Sequence, residues 1–320
     1  MTDARMPGRR CISPPIALRV AALCLFAVPT SFAQDVQQAT RLQPAGEGGR
    51  AGTFANDWQS THPFADVVRY AEGRREHLAA AVRDYQCLLV KRERLAGHLQ
   101  PHEYVELKVR HSRTEDNGRA IPFAVYLKYL GPSSIKGREV LYVEGENNGQ
   151  LIATKGGGGP LANVTLTLDP HSDRALQSSL YPITEIGILN LAERLVVEGR
   201  EQIRADDRPD EWDIQHFEKA KIADRVCHCI QLRRTRRLAE DSLHTMRVFI
   251  DEQHAAPVRY AMYHWPVEEG GAPVLMQEYT YTNLQWNVGL GDSDFARNNP
   301  DYRFYTSSDT RSATTAATSD

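Results

Sequence analysis

The side chains best able to do chemistry are spread along the chain. Glu144 and Glu146 straddle Gly145 beside Asn147 and Asn148, and Asp251-Glu252 ends an apolar run. Paired carboxylates are the groups acid–base hydrolysis needs, one to donate a proton and one to activate water. Spacing alone carries no geometry, and the ordinary fate of acids in turns is solvation. Cys227-His228-Cys229 offers three ligand atoms, but in a strand the two thiols point one way and the imidazole the other. Zinc takes about four ligands, commonly in paired clusters, and no second cluster follows, so no metal is expected. Lys155–Pro160 (KGGGGP) is glycine-rich, yet the phosphate-loop pattern needs Gly-Lys-Ser/Thr opening a helix, so this stretch reads as a plain loop. The eleven histidines show no H-E-x-x-H pair, and there is no G-x-S-x-G nucleophile elbow. The reading therefore leans away from an enzyme, and no cofactor is expected.

Two further groups bear on binding. The run Arg233-Arg234-Thr235-Arg236-Arg237 ends a strand, where it either meets an acidic partner or serves as a charged edge that deters aggregation. Trp265, Tyr279, Tyr281 and Trp286 either line a ligand cavity or pack the sheet.

These residues must be positioned by a chain that reads mostly as strands. Glu103–His111 alternates with Val105, Leu107 and Val109 inward, and Phe123–Leu130 does so with Phe123, Val125, Leu127 and Tyr129. Further strands are expected at Gln86–Leu95, Val140–Glu144, Gln150–Lys155 and Asn163–Leu168. After the middle of the chain come Trp212–Glu218, Arg225–Arg234, His244–Asp251, Val258–His264 and Val274–Asn287. The alternation predicts antiparallel sheet with one wetted face. A first helix is expected over Pro63–Arg83. A central helix is expected within Tyr181–Gly199, with Thr184 as N-cap and Gly199 as terminator. In it Ile188, Leu191, Ala192, Leu195 and Val196 recur at helical spacing and form a broad apolar face.

The fold class is thus α+β: a strongly curved, mostly antiparallel sheet of about ten strands, an open half-barrel. An N-terminal helix and a central helix lie on its concave side.

Of 320 residues, 41% are hydrophobic and 25% charged, ordinary values for a globular protein. Residues 1–33 read as a signal peptide: a basic start ending at Arg19, an apolar run Val20–Val28, and Ser31-Phe32-Ala33 before the cut. That run is shorter than the roughly 20 residues needed to cross a bilayer. Its removal takes Arg5, Arg9, Arg10, Arg19 and Asp3, leaving 34 basic and 40 acidic residues, net −6. Nucleic acid is accordingly not an expected partner. Residues 34–60 read as a flexible spacer, 61–305 as a single open-barrel domain, and 306–320 as a disordered tail. In an exported chain Cys87, Cys227 and Cys229 allow one disulfide, Cys87 with either of the others, leaving one thiol free. Asn163-Val164-Thr165 fits the glycosylation acceptor but falls inside a strand.

The strings DYQCLLVKRER (Asp84–Arg94), PFAVYLKYL (Pro122–Leu130), GREVLYVEGENNGQLIA (Gly137–Ala153), YPITEIGILNLAERL (Tyr181–Leu195) and EYTYTNLQWNVGLGDSDF (Glu278–Phe295) together resemble a bacterial secreted family. It is known only as domain of unknown function 1571. The order of strands and mid-chain helix is also similar to periplasmic lipoprotein carriers of the LolA/LolB-like fold. Those are unclosed barrels that hold acyl chains on a concave side lidded by helices. That second likeness is architectural and implies a function only by analogy.

The expected function is an exported, non-enzymatic binding protein of the cell envelope, periplasmic or extracellular. Its expected ligand is a lipid, a lipoprotein acyl chain or another apolar molecule held between sheet and central helix. The residues expected to hold it are Ile188, Leu191, Leu195, Val196, Tyr279 and Tyr281. The next reading is an envelope scaffold or sensor that binds a protein partner through a sheet edge, and the last is a hydrolase.

Overall fold

A computed structural model describes residues 62–159, 164–206, 208–237 and 243–304. The expected signal peptide, spacer, C-terminal tail and Asn163 acceptor lie outside the described residues.

Alternating apolar residues build one long sheet. The strands of the first half are β1 (Asp84–Leu95), β2 (His98–Leu99), β3 (Glu103–Arg110), β4 (Arg113–Thr114), β5 (Ala120–Ile121), β6 (Ala124–Gly131), β7 (Glu139–Val143), β8 (Leu151–Thr154) and β9 (Thr165–Leu168). The second half adds β10 (Trp212–Ile222), β11 (Arg225–Arg234), β12 (Leu243–Asp251), β13 (Pro257–His264) and β14 (Val274–Trp286). The order across the sheet is β10-β11-β12-β13-β14-β1-β3-β6-β7-β8-β9, with β2 paired to β1 and a separate β4–β5 ladder. The pairings are antiparallel. β9 and β10 form the two edges and do not pair with each other, so the barrel stays open. The pairing that joins the halves is β14 to β1, which brings residues near position 280 against residues near position 90.

The expected inward residues are buried except Phe123, which precedes β6 and is only partly covered. Val105, Leu107 and Val109 of β3 share a core with Val125, Leu127 and Tyr129 of β6, and with Tyr85 and Leu89 of β1. Two long helices cover this face: α1 (Phe64–Ala81) and, after the short α2 (Asp173–Leu176), α3 (Ile188–Ala205). Arg75 pairs with Glu193 and Glu72 with Arg200, a crossing order that makes the helices antiparallel.

The central helix starts and stops elsewhere than its local signals suggest. Ile183–Glu185 forms a 3-10 turn, and Gly187 (φ 117°) occupies the N-cap position in place of Thr184. The N–H of Ile188, the first of the helix and without an acceptor inside it, donates to the Tyr85 hydroxyl at 2.9 Å. Asn190 braces the preceding turn, its Nδ2 donating to Thr184 O and Ile186 O. Gly199 does not end the helix. It lies inside α3 where α1 passes closest, and a Cβ there would fall 2.6 Å from Val68 Cγ2. The first helix is also shorter than the expected Pro63–Arg83. β10 runs four residues past Glu218 through a bulge between Phe217 and Ala220.

The opposite face is wetted only in part. Beyond β14 the chain crosses back over β6–β8, where Phe295, Tyr302 and Phe304 pack on Ala124, Tyr126, Leu141, Val143 and Ile152. Tyr302 stacks on Tyr126 at 3.8 Å, and Asp292 clasps Arg110 and Arg119, both at 2.7 Å.

The expected disulfide does not form: Cys87, Cys227 and Cys229 are free, buried thiols. Cys87 lies in β1 and the other two in β11, with β12, β13 and β14 between them. Neighbouring strands are about 4.8 Å apart, whereas a disulfide needs Cα atoms within about 7 Å. Burial pushes the Cys227 and Cys229 thiols up to about 12.

The Tyr85 hydroxyl is fully buried and serves an N–H that has no acceptor inside its own helix. Tyr85→Phe leaves that N–H unpaired and is expected to lower stability by about 1–3 kcal/mol. Urea unfolding checks this: the midpoint should fall with the slope unchanged, and an unmoved midpoint would mean that Tyr85 does not anchor α3.

Candidate functional site

Seven strands, β1, β3, β6, β7, β8, β9 and β14, contribute to the wall of one cavity of about 410 Å³. Segment 170–187 and the first turns of α3 close it on the other side. The volume falls in the range of roughly 300–1,000 Å³ usual for small-molecule pockets. Most of the lining is apolar: Leu89, Val105, Leu127, Val140 and Leu151 from the sheet, Leu191 from α3. The sheet curls because these inward residues come from so many strands around one space.

A second, smaller cavity of about 170 Å³ lies between α1, α3 and strands β11–β13, lined by Val68, Leu195, Leu232, Met246 and Met262 among others. In the wall of the larger cavity, Arg194 of α3 lies 3.7 Å from the Tyr181 ring and 6.0 Å from that of Tyr260. The guanidinium thus stands over aromatic faces, and its Nε lies 3.8 Å from Glu198.

The polar part of the larger cavity is set by the alternation of β1. Leu89, Lys91 and Glu93 fall on the same inward face, so an ion pair is carried where only apolar residues would be expected. Lys91 Nζ lies 3.2 Å from both Glu93 and Glu103, and Lys91 and Glu93 are 5% and 3% exposed. The Tyr279 hydroxyl makes a very short hydrogen bond to Glu93. Burial alone would lower the Lys91 ammonium, but Glu93, Tyr129 and Glu103 outweigh it, raise its pKa and keep it charged. Burial, followed by the Glu93 charge, lifts the Tyr279 phenol well above its ordinary range, so it stays a donor. Ser179, from the closing segment, lies 3.5 Å from the same carboxylate.

The six residues expected to hold a ligand divide among three places. Leu191, Tyr279 and Tyr281 line the larger cavity. Leu195 lines the smaller one. Ile188 and Val196, each 1% exposed, close over packed core and line neither cavity. The apolar face of α3 is therefore shared between two cavities and packed core. Trp265 packs on His244 at 4.3 Å, while Trp286 lies 5.4 Å from both Tyr85 and His254.

The other candidates have structural partners. Glu144 and Glu146 are exposed at the β7–β8 turn, outside the cavity, and Glu144 accepts from the Phe123 N–H. Asp251 is buried against Arg225 at 2.8 Å and accepts the His254 N–H at 2.7 Å. Burial would raise the Asp251 carboxyl, but Arg225 and His254 outweigh it and hold it below its usual range. Arg233 pairs with Asp213, Arg234 with Asp206, and Arg236 with Glu211, so the basic run is tied to its own strand end. His228 faces α1, edge-on to Tyr70, and lies 3.0 Å from His216; the flanking cysteines take the other side of β11. Among the described residues no group of three or more His, Cys, Asp or Glu is placed to hold a metal ion.

The Lys91 cluster was missed from sequence, although its signal was present: a Lys and a Glu two apart in a strand, in phase with Leu89. Lys91→Met strands two carboxylates in low-dielectric surroundings and is expected to cost about 3–5 kcal/mol. Adding Glu93→Gln should recover part of that loss. Urea titration of the two variants checks both statements, and a single variant as stable as the parent would contradict them.

Three solved structures show distant likeness. A DUF1329 family protein from Desulfovibrio piger is 12% identical, covers 74% of this chain and 98% of its own, and has a TM-score of 0.33. A putative outer membrane lipoprotein-sorting protein domain from Vibrio parahaemolyticus is 12% identical, with coverage of 72% and 96% and a TM-score of 0.33. A LolA superfamily protein from Nitrosomonas europaea is 10% identical, with coverage of 71% and 97% and a TM-score of 0.27. No curated protein matches the chain. Among the described residues no helix is long and apolar enough to cross a membrane. The model of the family described as protein of unknown function (DUF1571) matches residues 82–304, from the end of α1 through every strand to the C-terminal strap, and the chain belongs to that family.

Proposed function

We propose that this chain is a non-enzymatic binding protein of the cell envelope that holds a lipid, an acyl chain or another apolar ligand between sheet and α3. One observation carries the reading: a cavity of about 410 Å³ with a mainly apolar lining, in the interior of an open sheet. Packed cores leave few voids larger than a water molecule, so a space of this size needs an occupant or a reason. Its walls belong to the sheet and the helix together, which suits a molecule taken up whole. The sequence supports export through residues 1–33 and a single folding unit over 61–305.

The acids considered for hydrolysis do not favour a catalyst. Glu144 and Glu146 lie outside the cavity, and Asp251 is occupied by Arg225. Of the two acids in the cavity wall, Glu93 and Glu185, the buried one, Glu93, is held by Lys91 and Tyr279.

Leu151 and Ala153 alternate inward on β8, and Ala153 lines the cavity without being fully buried. Ala153→Trp should fill part of the space while leaving the helices in place. Titration with a fluorescent fatty acid should show saturable uptake by the parent chain. The Trp variant, with an unchanged circular dichroism spectrum, should bind at least about tenfold more weakly. Equal binding by the two, or none by the parent, would remove the cavity from the account.

A further inference from the structure

We infer that the ligand of this cavity is an amphiphile with an anionic head, its tail in the apolar interior and its carboxylate or phosphate at a cationic mouth formed by Arg138, Lys155 and Arg174. The inference rests on the cavity being a binding site and adds the chemistry of what it takes.

The mouth is built by a tight backbone contact. Gly156 and Gly157 press against the turn at 134–138. A Cβ at Gly156 would lie 2.4 Å from Arg138 N, and one at Gly157 would lie 2.2 Å from Ser134 O. Both glycines also have positive φ, of 67° and 78°. The glycine run that follows Lys155 therefore serves close approach: it lays the end of β8 against the start of β7. As a result Arg138 Nε donates to Lys155 O at 3.2 Å, and its other arm reaches Ser178 Oγ at 3.5 Å. Arg174 of α2, four residues before Ser178, lines the same cavity, so three separate segments each bring a cation to it. Arg138 is also held over the Tyr129 ring at 5.6 Å, which orders its guanidinium.

These charges lack acidic partners of their own. Among the described residues none of Arg138, Lys155 and Arg174 forms an ion pair, whereas Arg225, Arg234 and Arg259 elsewhere each sit beside a carboxylate. Of the two acids in the cavity wall, Glu93 is bound to Lys91, and only Glu185 remains. Lys155 and Arg174 are exposed, while Leu89, Val105 and Leu191 are buried, so charge is at the opening and apolar surface is inside. That polarity matches a chain with one anionic end. An Arg–carboxylate or Arg–phosphate contact is charge-assisted and gives both energy and orientation.

The test uses four twelve-carbon probes below their micelle concentrations, titrated by calorimetry into the full chain: dodecanoate, dodecyl phosphate, dodecanol and dodecyltrimethylammonium. The two anions should bind at least about tenfold tighter than the alcohol, the cation weakest, and the preference should shrink as salt rises. Dodecanoate against dodecyl phosphate reports which anionic head fits better. In R138Q/K155Q/R174Q the anions should fall to the affinity of dodecanol, with dodecanol itself unchanged. The milder K155Q/R174Q variant, confined to exposed side chains, should lose about threefold of the preference. Equal binding of anion and alcohol by the parent, or a preference that survives the triple variant, overturns the anionic head and leaves the cavity standing. Failure of all four probes to bind overturns the cavity reading, and this inference with it.

Discussion

The Tyr85 hydroxyl holds α3 to the sheet, and much of the structure depends on where that helix begins. Tyr85 stands on the inward face of β1, completely buried, and accepts the N–H of Ile188. The preceding Gly187 adopts φ 117°, and a Cβ there would come within 3.0 Å of that hydroxyl, so only a glycine lets the helix start so close. Tyr281, one strand over, lines the same cavity as Gly187. The Tyr85 hydroxyl thus fixes the start of the helix against the sheet. From that start follows the division of its face: Leu191 and Arg194 toward the larger cavity, Leu195 and Gly199 toward the smaller, Ile188 and Val196 into packed core.

The same strand sets the cavity's polarity. β1 is central, flanked by β14 and β3, and its inward row changes from Tyr85, Cys87 and Leu89 to Lys91 and Glu93. A charge pair in such a place is costly to desolvate and persists only with full hydrogen bonding. Glu103, Tyr279 and Ser179 provide it from two strands and the closing segment. The segment that closes the cavity is therefore tied to the floor by polar contacts, while its apolar residues line the space. A rigid floor and an apolar wall are compatible with a site that accepts a chain-like ligand without remaking the sheet.

The sheet was largely legible in the sequence and the site only partly so. Alternation in Glu103–His111 and Phe123–Leu130 gave the right residues inward because burial of one face enforces a period of two. The ends of the central helix were not legible, because Thr184 and Gly199 carry the usual local signals while the actual start and course depend on Tyr85 and Val68, both far away in the chain. Tyr279 and Tyr281 were singled out as aromatic strand residues, and their neighbours across the cavity could not be. The strap that covers β6–β8 was invisible for the same reason: Phe295, Tyr302 and Phe304 reveal a partner only once the topology is known. The glycine run after Lys155 was read as a plain loop on the absence of a phosphate-loop pattern. Its tight fit against 134–138 is a property of the fold.

The central claim, that this interior space holds an apolar chain, is tested most directly by native mass spectrometry of the full chain purified without detergent from membrane-containing cells. The account predicts a stoichiometric adduct that dissociates on activation to release an amphiphile of lipid mass. A ligand-free protein that also takes up no fatty acid added afterwards would contradict it.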